Sequence, residues 1–366
     1  MSPDRFSPTR WLFLFFAGVI LCLSCRSAPP QPAPAKKVET RVTFLAVGDI
    51  MLSRGVAQRI RNANDPLLPF RQLAALFKST DFNFGNLETP MSGKDQVLGH
   101  NLIFNARRQD LAGLTEYNFK VLNVANNHAF DQGLAGLKST RKELEDRKIA
   151  YLGAGDDQEQ AWEPKIFTVN DLRIGFIGAT YASFNDGGVA RHNYLARIED
   201  LDRLKQAVSQ LKSQADFIIV TMHAGTEFVD KADPRRQLDK AQIAFAHAAI
   251  DYGADLVIGA HPHWIQNLET YSGKYIFYSL GNFIFDMHDP IANEGLALKI
   301  TLRGEKTVNP STPDDQKRTG FTTQIEQIEC LPVIIENHST PRSASPEETA
   351  RILKRLNLPQ KVIAPQ

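Results

Sequence analysis

Apolar runs of strand length recur between residues 41 and 280, and five of them end on a cluster of polar side chains. The runs are 41–47 (RVTFLAV), 81–84, 119–124 (FKVLNV), 172–178 (LRIGFIG), 216–222 (DFIIVTM), 255–259 (DLVIG) and 275–280 (YIFYSL). Helix-like stretches at 134–147, 198–213 and 235–252 lie between several of them, and the last places Ile243, Ala246 and Ile250 on one face. Strands alternating with helices indicate a layered α/β architecture. The runs 165–169 with 172–178, and 263–270 with 275–280, are too close for helical crossovers, so they read as hairpins and the sheets as mixed. Further on, strand candidates at 295–302 and 321–335 flank a polar loop, and a helix starts at Ser345, with Pro346 at its first position and Glu348 closing a capping box.

The N-terminus reads as an address. Arg5 and Arg10 precede the uncharged run WLFLFFAGVILCLS, too short to span a bilayer comfortably, which ends next to Cys25. That pattern is similar to a bacterial lipoprotein signal, with Cys25 as the lipidated residue and Cys22 where Leu is usual; a plain cleaved signal and an uncleaved anchor are the other readings. Residues 26–40, with Pro29, Pro30, Pro32 and Pro34, read as an extended tether. The expected organisation is therefore a signal segment 1–25, a tether 26–40, a main domain 41–303 and a C-terminal extension 304–366 of the same domain. The expected location is the cell envelope, outside the cytoplasm.

Charge and cysteine content narrow the chemistry. Forty-two basic residues balance 41 acidic ones in a chain of 366, so no global field argues for nucleic acid. Cys330 stands alone in the folded body, which excludes a zinc–thiolate site there. Any metal must be held by histidine and oxygen.

Those donors stand at the strand ends. Asp49 lies in VGDIM, Asn86 and Glu88 in FGNLETP, Asn126, Asn127, His128 and Asp131 in NVANNHAFDQG, His223 and Glu227 in TMHAGTEF, and His261 and His263 in IGAHPHWIQ. Two divalent ions roughly 3.5–4 Å apart need a bridging carboxylate with imidazole and oxygen donors on each side. Asp49, Glu88, Asn127, His223, His261 and His263 supply that set. Residues two apart on an extended segment point the same way, so His261 and His263 are expected to act together. Each element alone has a plainer reading, as a cap, a turn or a strand-end histidine. Their conjunction carries the metal-site expectation. Ser279, Asn282 and Asp286 in YSLGNFIFD, with Asn86, Glu227 and Arg235, are candidate substrate contacts, whereas His100, His192, His247, His288 and His338 read as structural or exposed.

Taken together, GDIM, NLETP, ANNHAFDQG, HAGTEF, GADLVIGAHPHWIQ and YSLGNFIFD resemble the CapA family of poly-γ-glutamate capsule biosynthesis proteins, itself similar to calcineurin-like metallophosphoesterases. The resemblance spans roughly Arg41 to Leu302 and implies a four-layer αββα sandwich. It implies that Asp49 and His263 bind a first metal, that Asn127, His223 and His261 bind a second, and that Glu88 bridges them. His128 then matches the group that protonates the leaving group, oriented by Asp131. Two positions depart from the metallophosphoesterase pattern: Met51 stands where a ligand histidine is usual, and Glu88 where Asp is usual.

Two functions follow as expectations. One is a metal-dependent hydrolase or transferase, using two Mn, Fe or Zn ions on an ester, phosphoester or amide of an anionic envelope polymer such as poly-γ-glutamate. The other is a lipid-anchored, non-catalytic accessory of a membrane polymer synthase. No glycine-rich ATP-binding loop is visible, so an energy-driven ligase step would reside elsewhere.

Overall fold

In the computed structural model, which describes residues 35–94, 102–183, 193–227, 238–308 and 320–363, the chain builds part of one sheet, leaves it, and returns. Strands β1 (Lys36–Ile50), β2 (Phe82–Leu87), β3 (Phe119–Asn123) and β4 (Ala150–Leu152) begin the first sheet and run parallel to one another. The second sheet follows, with β5 (Lys165–Val169), β6 (Leu172–Thr180), β7 (Phe217–His223), β8 (Leu256–Ala260), β9 (Leu268–Tyr271) and β10 (Lys274–Phe277) in the order β5-β6-β7-β8-β10-β9. The chain then re-enters the first sheet through β11 (Asn282–Ile284), β12 (Glu294–Val308), β13 (Thr322–Glu336), β14 (Thr340–Ser343) and β15 (Lys361–Ile363). The two expected hairpins, β5–β6 and β9–β10, are antiparallel, and both sheets are mixed.

Alternation along the strands explains the layering, because successive side chains leave a strand on opposite faces. Phe44 and Ala46 of β1 pack between the sheets with Phe82, Phe84, Ile174, Phe176, Phe217 and Ile219. Leu45 and Val47 face the other way, onto helices α1 (Arg54–Ala63), α2 (Ala74–Phe77), α3 (Ala112–Glu116) and α4 (Gly133–Asp146). After the short helix α5 (Gln158–Ala161), helices α6 (Leu201–Lys212) and α7 (Lys240–Tyr252) cover the outer face of the second sheet, where Ile218, Val220 and Met222 meet Leu204, Val208, Phe245 and Ala249. The result is a four-layer αββα sandwich.

Strand ends differ from the sequence expectation in two instructive places. β1 begins at Lys36, inside the expected tether, because Lys36 to Ala46 pair without a break with Val308 to Leu298 of β12. For the same reason the expected boundary at 303/304 falls inside β12, and the tail is part of the first sheet. Its helix α8 (Pro346–Leu356) carries the anticipated capping box on Ser345 and Glu348 and packs Ile352, Leu353 and Leu356 into the inter-sheet core. Cys25, His100, His192 and Arg235 lie outside the described residues. Among the described residues, no helix is long and apolar enough to cross a membrane.

Candidate metal centre

The parallel strands of both sheets deliver their C-terminal ends to one place. Asp49 is near the end of β1, Asn86 near the end of β2, His223 is the last residue of β7, and His261 follows β8. At Gly48 an added Cβ would sit 1.8 Å from the Gly281 carbonyl oxygen, so β1 reaches the turn before β11 only because residue 48 is glycine. Asp49 N–H donates to that carbonyl at 3.0 Å.

Asp49, Glu88, His223 and His261 are buried to within 1% of full exclusion from solvent. Candidate ligand atoms of Asp49, Glu88 and His223 lie within 4.8 Å of one another. On one side, His223 Nε2 is 2.8 Å from Asn127 Oδ1 and 3.0 Å from His261 Nδ1. On the other, His263 Nδ1 is 3.6 Å from Asp49 Oδ2. Glu88 stands between, with Oε1 3.7 Å from His128 Nε2 and 3.9 Å from His223 Nε2.

Glu88 tests whether this donor set suits a metal. Both of its carboxylate oxygens are buried without a hydrogen-bond partner. A buried polar group left unpaired costs about 1–3 kcal/mol, more when charged, in a fold whose net stability is typically about 5–15 kcal/mol. Burial, and next the charge of Asp49, push the Glu88 carboxyl well above its usual range. A bound cation would relieve both effects. Burial, and then neighbouring imidazoles, hold His223 and His261 well below the usual histidine value, which keeps them neutral as metal ligation requires. The donor set therefore fits a divalent cation bound by oxygen and imidazole.

His261 and His263 do not act as an extended pair. Their φ angles are 111° and 66°, so the segment turns, and their rings stand 6.1 Å apart on opposite sides of the centre. Such backbone positions cost about 1–3 kcal/mol each and gather at functional sites.

Three expected substrate contacts lie behind the site. Asn86 Nδ2 donates to Asp49 Oδ1 at 2.8 Å and approaches His223 Nδ1 at 3.1 Å, while its Oδ1 accepts from Asn123. Asn282 Oδ1 is 2.9 Å from His263 Nδ1, and its amide donates to the Ala292 carbonyl. Ser279 Oγ accepts from Gly281 N–H. None of the three lines the cleft. The physical reason is burial at the strand ends, where a polar side chain is used to orient its neighbours. Met51 is also buried, and its sulfur takes the Ser53 N–H, so it faces the backbone.

Above the centre lies a cleft of about 710 Å³, lined in part by Asn127, His128, Glu227, His261 and His263. Glu227 Oε1 is 3.4 Å from His261 Nε2. His128 Nδ1 contacts Asp131 Oδ2 at 2.7 Å. Burial raises the Asp131 carboxyl above its usual range, against the opposing pull of His128, and His128 Nε2 faces Glu88. Asn126 supports this loop by donating to Leu87 O and accepting from His128 N–H. Arg54, Phe104, Asn123 and Tyr181 escaped the sequence reading. Asn123 ends its strand as Asn86 nearly does, a signal that was available; the other three had none.

Comparison with known proteins agrees with the motifs. Residues 43–287 match the family described as bacterial capsule synthesis protein PGA_cap. The chain is 34% identical over 285 residues to capsule biosynthesis protein CapA of Bacillus anthracis, covering 75% of this chain and 67% of that one. It is 33% identical over 245 residues to PGA biosynthesis protein CapA of Bacillus subtilis, covering 66% and 62%. Among solved structures it is similar to the NAD nucleotidase of Haemophilus influenzae, with 15% identity, 87% of this chain and 56% of that chain covered, and a TM-score of 0.47. From the strand-end motifs and the sequence match together, the chain belongs to the CapA (PGA_cap) family of bacterial capsule synthesis proteins.

Proposed function

We propose that this protein is an exported metal-dependent hydrolase or transferase that acts on an anionic envelope polymer such as poly-γ-glutamate during its synthesis, anchoring or release. The observation that carries the reading is the Glu88 carboxylate, enclosed without a hydrogen-bond partner among imidazoles and a second carboxylate. Asp49 and His263 would hold one divalent ion, Asn127, His223 and His261 a second, and Glu88 both; Mn, Fe and Zn all suit these donors. When bound, such ions supply Lewis-acid polarisation and charge stabilisation at an ester, phosphoester or amide.

The chain's own residues do the rest. Asp131 fixes the His128 ring, so that Nε2 can hold the proton delivered to a leaving group. Asn86 and Asn282 set the orientations of Asp49, His223 and His263. The localisation belongs to the same proposal: Cys25 carries a lipid, and the tether holds the domain outside the cytoplasm.

Metal content of the full chain, purified without chelators, tests the reading. Two equivalents in wild type, lost in His261→Ala/His263→Ala, support it, and no metal sinks it. One equivalent shifts the reading towards a mononuclear or binding role. A second reading, a non-catalytic accessory of a membrane polymer synthase, is favoured by Met51, whose sulfur faces Ser53 N–H and leaves the Asp49 side one ligand short. Polymer formation that survives His128→Ala, with metal content intact, would select the accessory role.

A further inference from the structure

Among the described residues, the cleft wall carries more carboxylates than cations. Glu199, Glu227 and Asp239 are on its walls, yet Arg54 is the one Lys or Arg among the described residues that line it. Two of those carboxylates are held by backbone: Glu199 accepts from Ala182 N–H at 3.2 Å, and Asp239 caps α7 by accepting from Ala241 N–H at 2.7 Å. Among the described residues, an acidic ligand that reaches the metal ligands with one group meets the Arg54 guanidinium with another.

Arg54 is positioned as a freely solvated arginine is not. Its φ is 46°, a left-handed conformation that non-glycine residues adopt only where the surrounding structure holds them there. The guanidinium carbon lies 4.7 Å from the ring centre of Phe104 and 5.7 Å from that of Phe285. Asp286 ties side chain and backbone together: Oδ1 pairs with Arg54 Nη2, and Oδ2 accepts from Gly55 N–H at 2.8 Å. The side chain remains 22% exposed. Phe104 also stacks on His128 with ring centres 3.8 Å apart, which places Arg54 one ring away from that imidazole. A planar guanidinium offers a fork of donors matched to a carboxylate or phosphoryl group, and aromatic contacts keep that fork in one plane.

We propose that Arg54 is a specificity-determining residue that receives an oxyanion of the substrate other than the reacting group, and so selects acidic substrates carrying more than one charge. This deepens the polymer reading and rests on it. In a γ-linked glutamate chain the oxyanion is the α-carboxylate of a neighbouring unit. In a polyphosphorylated ligand it is the second phosphoryl group.

Calorimetric titration of the metal-bearing full chain with orthophosphate, pyrophosphate and a γ-linked glutamate pentamer tests the proposal. Orthophosphate has a single anionic centre and reports on the metal ligands alone. In Arg54→Gln the pentamer Kd should rise at least about tenfold, with orthophosphate affinity and metal content changed less than about twofold. Arg54→Lys, which keeps the charge and loses the fork, should fall between and covers the case in which the first variant does not fold. Pyrophosphate weakened like the pentamer supports a general second-oxyanion site, and pyrophosphate behaving like orthophosphate supports one tuned to carboxylate. Equal loss for all ligands, or an unchanged pentamer Kd, overturns the proposal and leaves Arg54 as a strut for Asp286. Metal-bearing wild type that binds the pentamer no better than orthophosphate overturns this inference alone. Wild type without metal overturns the functional reading, and this one with it.

Discussion

The two sides of the centre are built on different principles. Around His223, three uncharged donors from three chain segments converge, with contacts of 2.8 and 3.0 Å. Around Asp49 the contact to His263 is looser, at 3.6 Å, and depends on a charge and on amides behind it. Burial lowers the His263 proton affinity, but Asp49, with Glu227 and Asn282, raises it overall. Geometry defines the His223 side, and electrostatics the Asp49 side. If the proposed metal roles hold, Met51 falls on the half least able to compensate by shape.

The largest effect should come from His223→Ala, which touches Asn127, His261 and Asn86 at once. Metal analysis should show loss of at least one equivalent, with any remaining ion bound about 100-fold more weakly. An unchanged content would erase the distinction between the sides.

Met51→His sharpens the comparison from the other direction. Restoring an imidazole should make the Asp49-side ion resist a chelator that strips it from wild type. Because Met51 is fully buried, the swap should also cost about 1–3 kcal/mol in metal-free protein, read by denaturant unfolding. Destabilisation without tighter metal would show that residue 51 cannot reach the site.

Asn282→Ala removes the partner of His263 and should weaken only the Asp49-side ion, by about tenfold in a metal titration. Equal weakening of both ions would show the sides to be one cooperative unit.

Changes remote from the centre should spare it. Ser345→Ala removes the α8 cap and should cost about 1 kcal/mol in thermal unfolding with metal content unchanged. Glu348, held to about 2 first by Arg342 and then by the Ser345 N–H, has a depressed folded pKa. Its contribution is therefore complete above the ordinary glutamate value and is lost as pH falls towards about 2. Smallest of all, burial pushes the Cys330 thiol up to about 12, so peptide mapping should show Cys330 resisting alkylation at pH 8 in native protein and reacting in unfolded protein.

The sequence by itself determined much of this molecule. Strand runs, their hairpins, the α8 capping box and the ligand candidates Asp49, Glu88, Asn127, His223, His261 and His263 were readable, because local periodicity and residue chemistry are written along the chain. Tertiary structure decided the rest. That β1 starts at Lys36 depends on β12, more than 250 residues away, and no local pattern encodes such a partner. That Asn86, Ser279 and Asn282 stand behind the site, and Arg54 within the cleft, depends on which face of a strand end or loop turns inward. The opposed aim of His261 and His263 follows from positive φ angles that the surrounding packing imposes against local preference. Sequence specifies which groups are available; only the close approach of distant segments decides what each one faces.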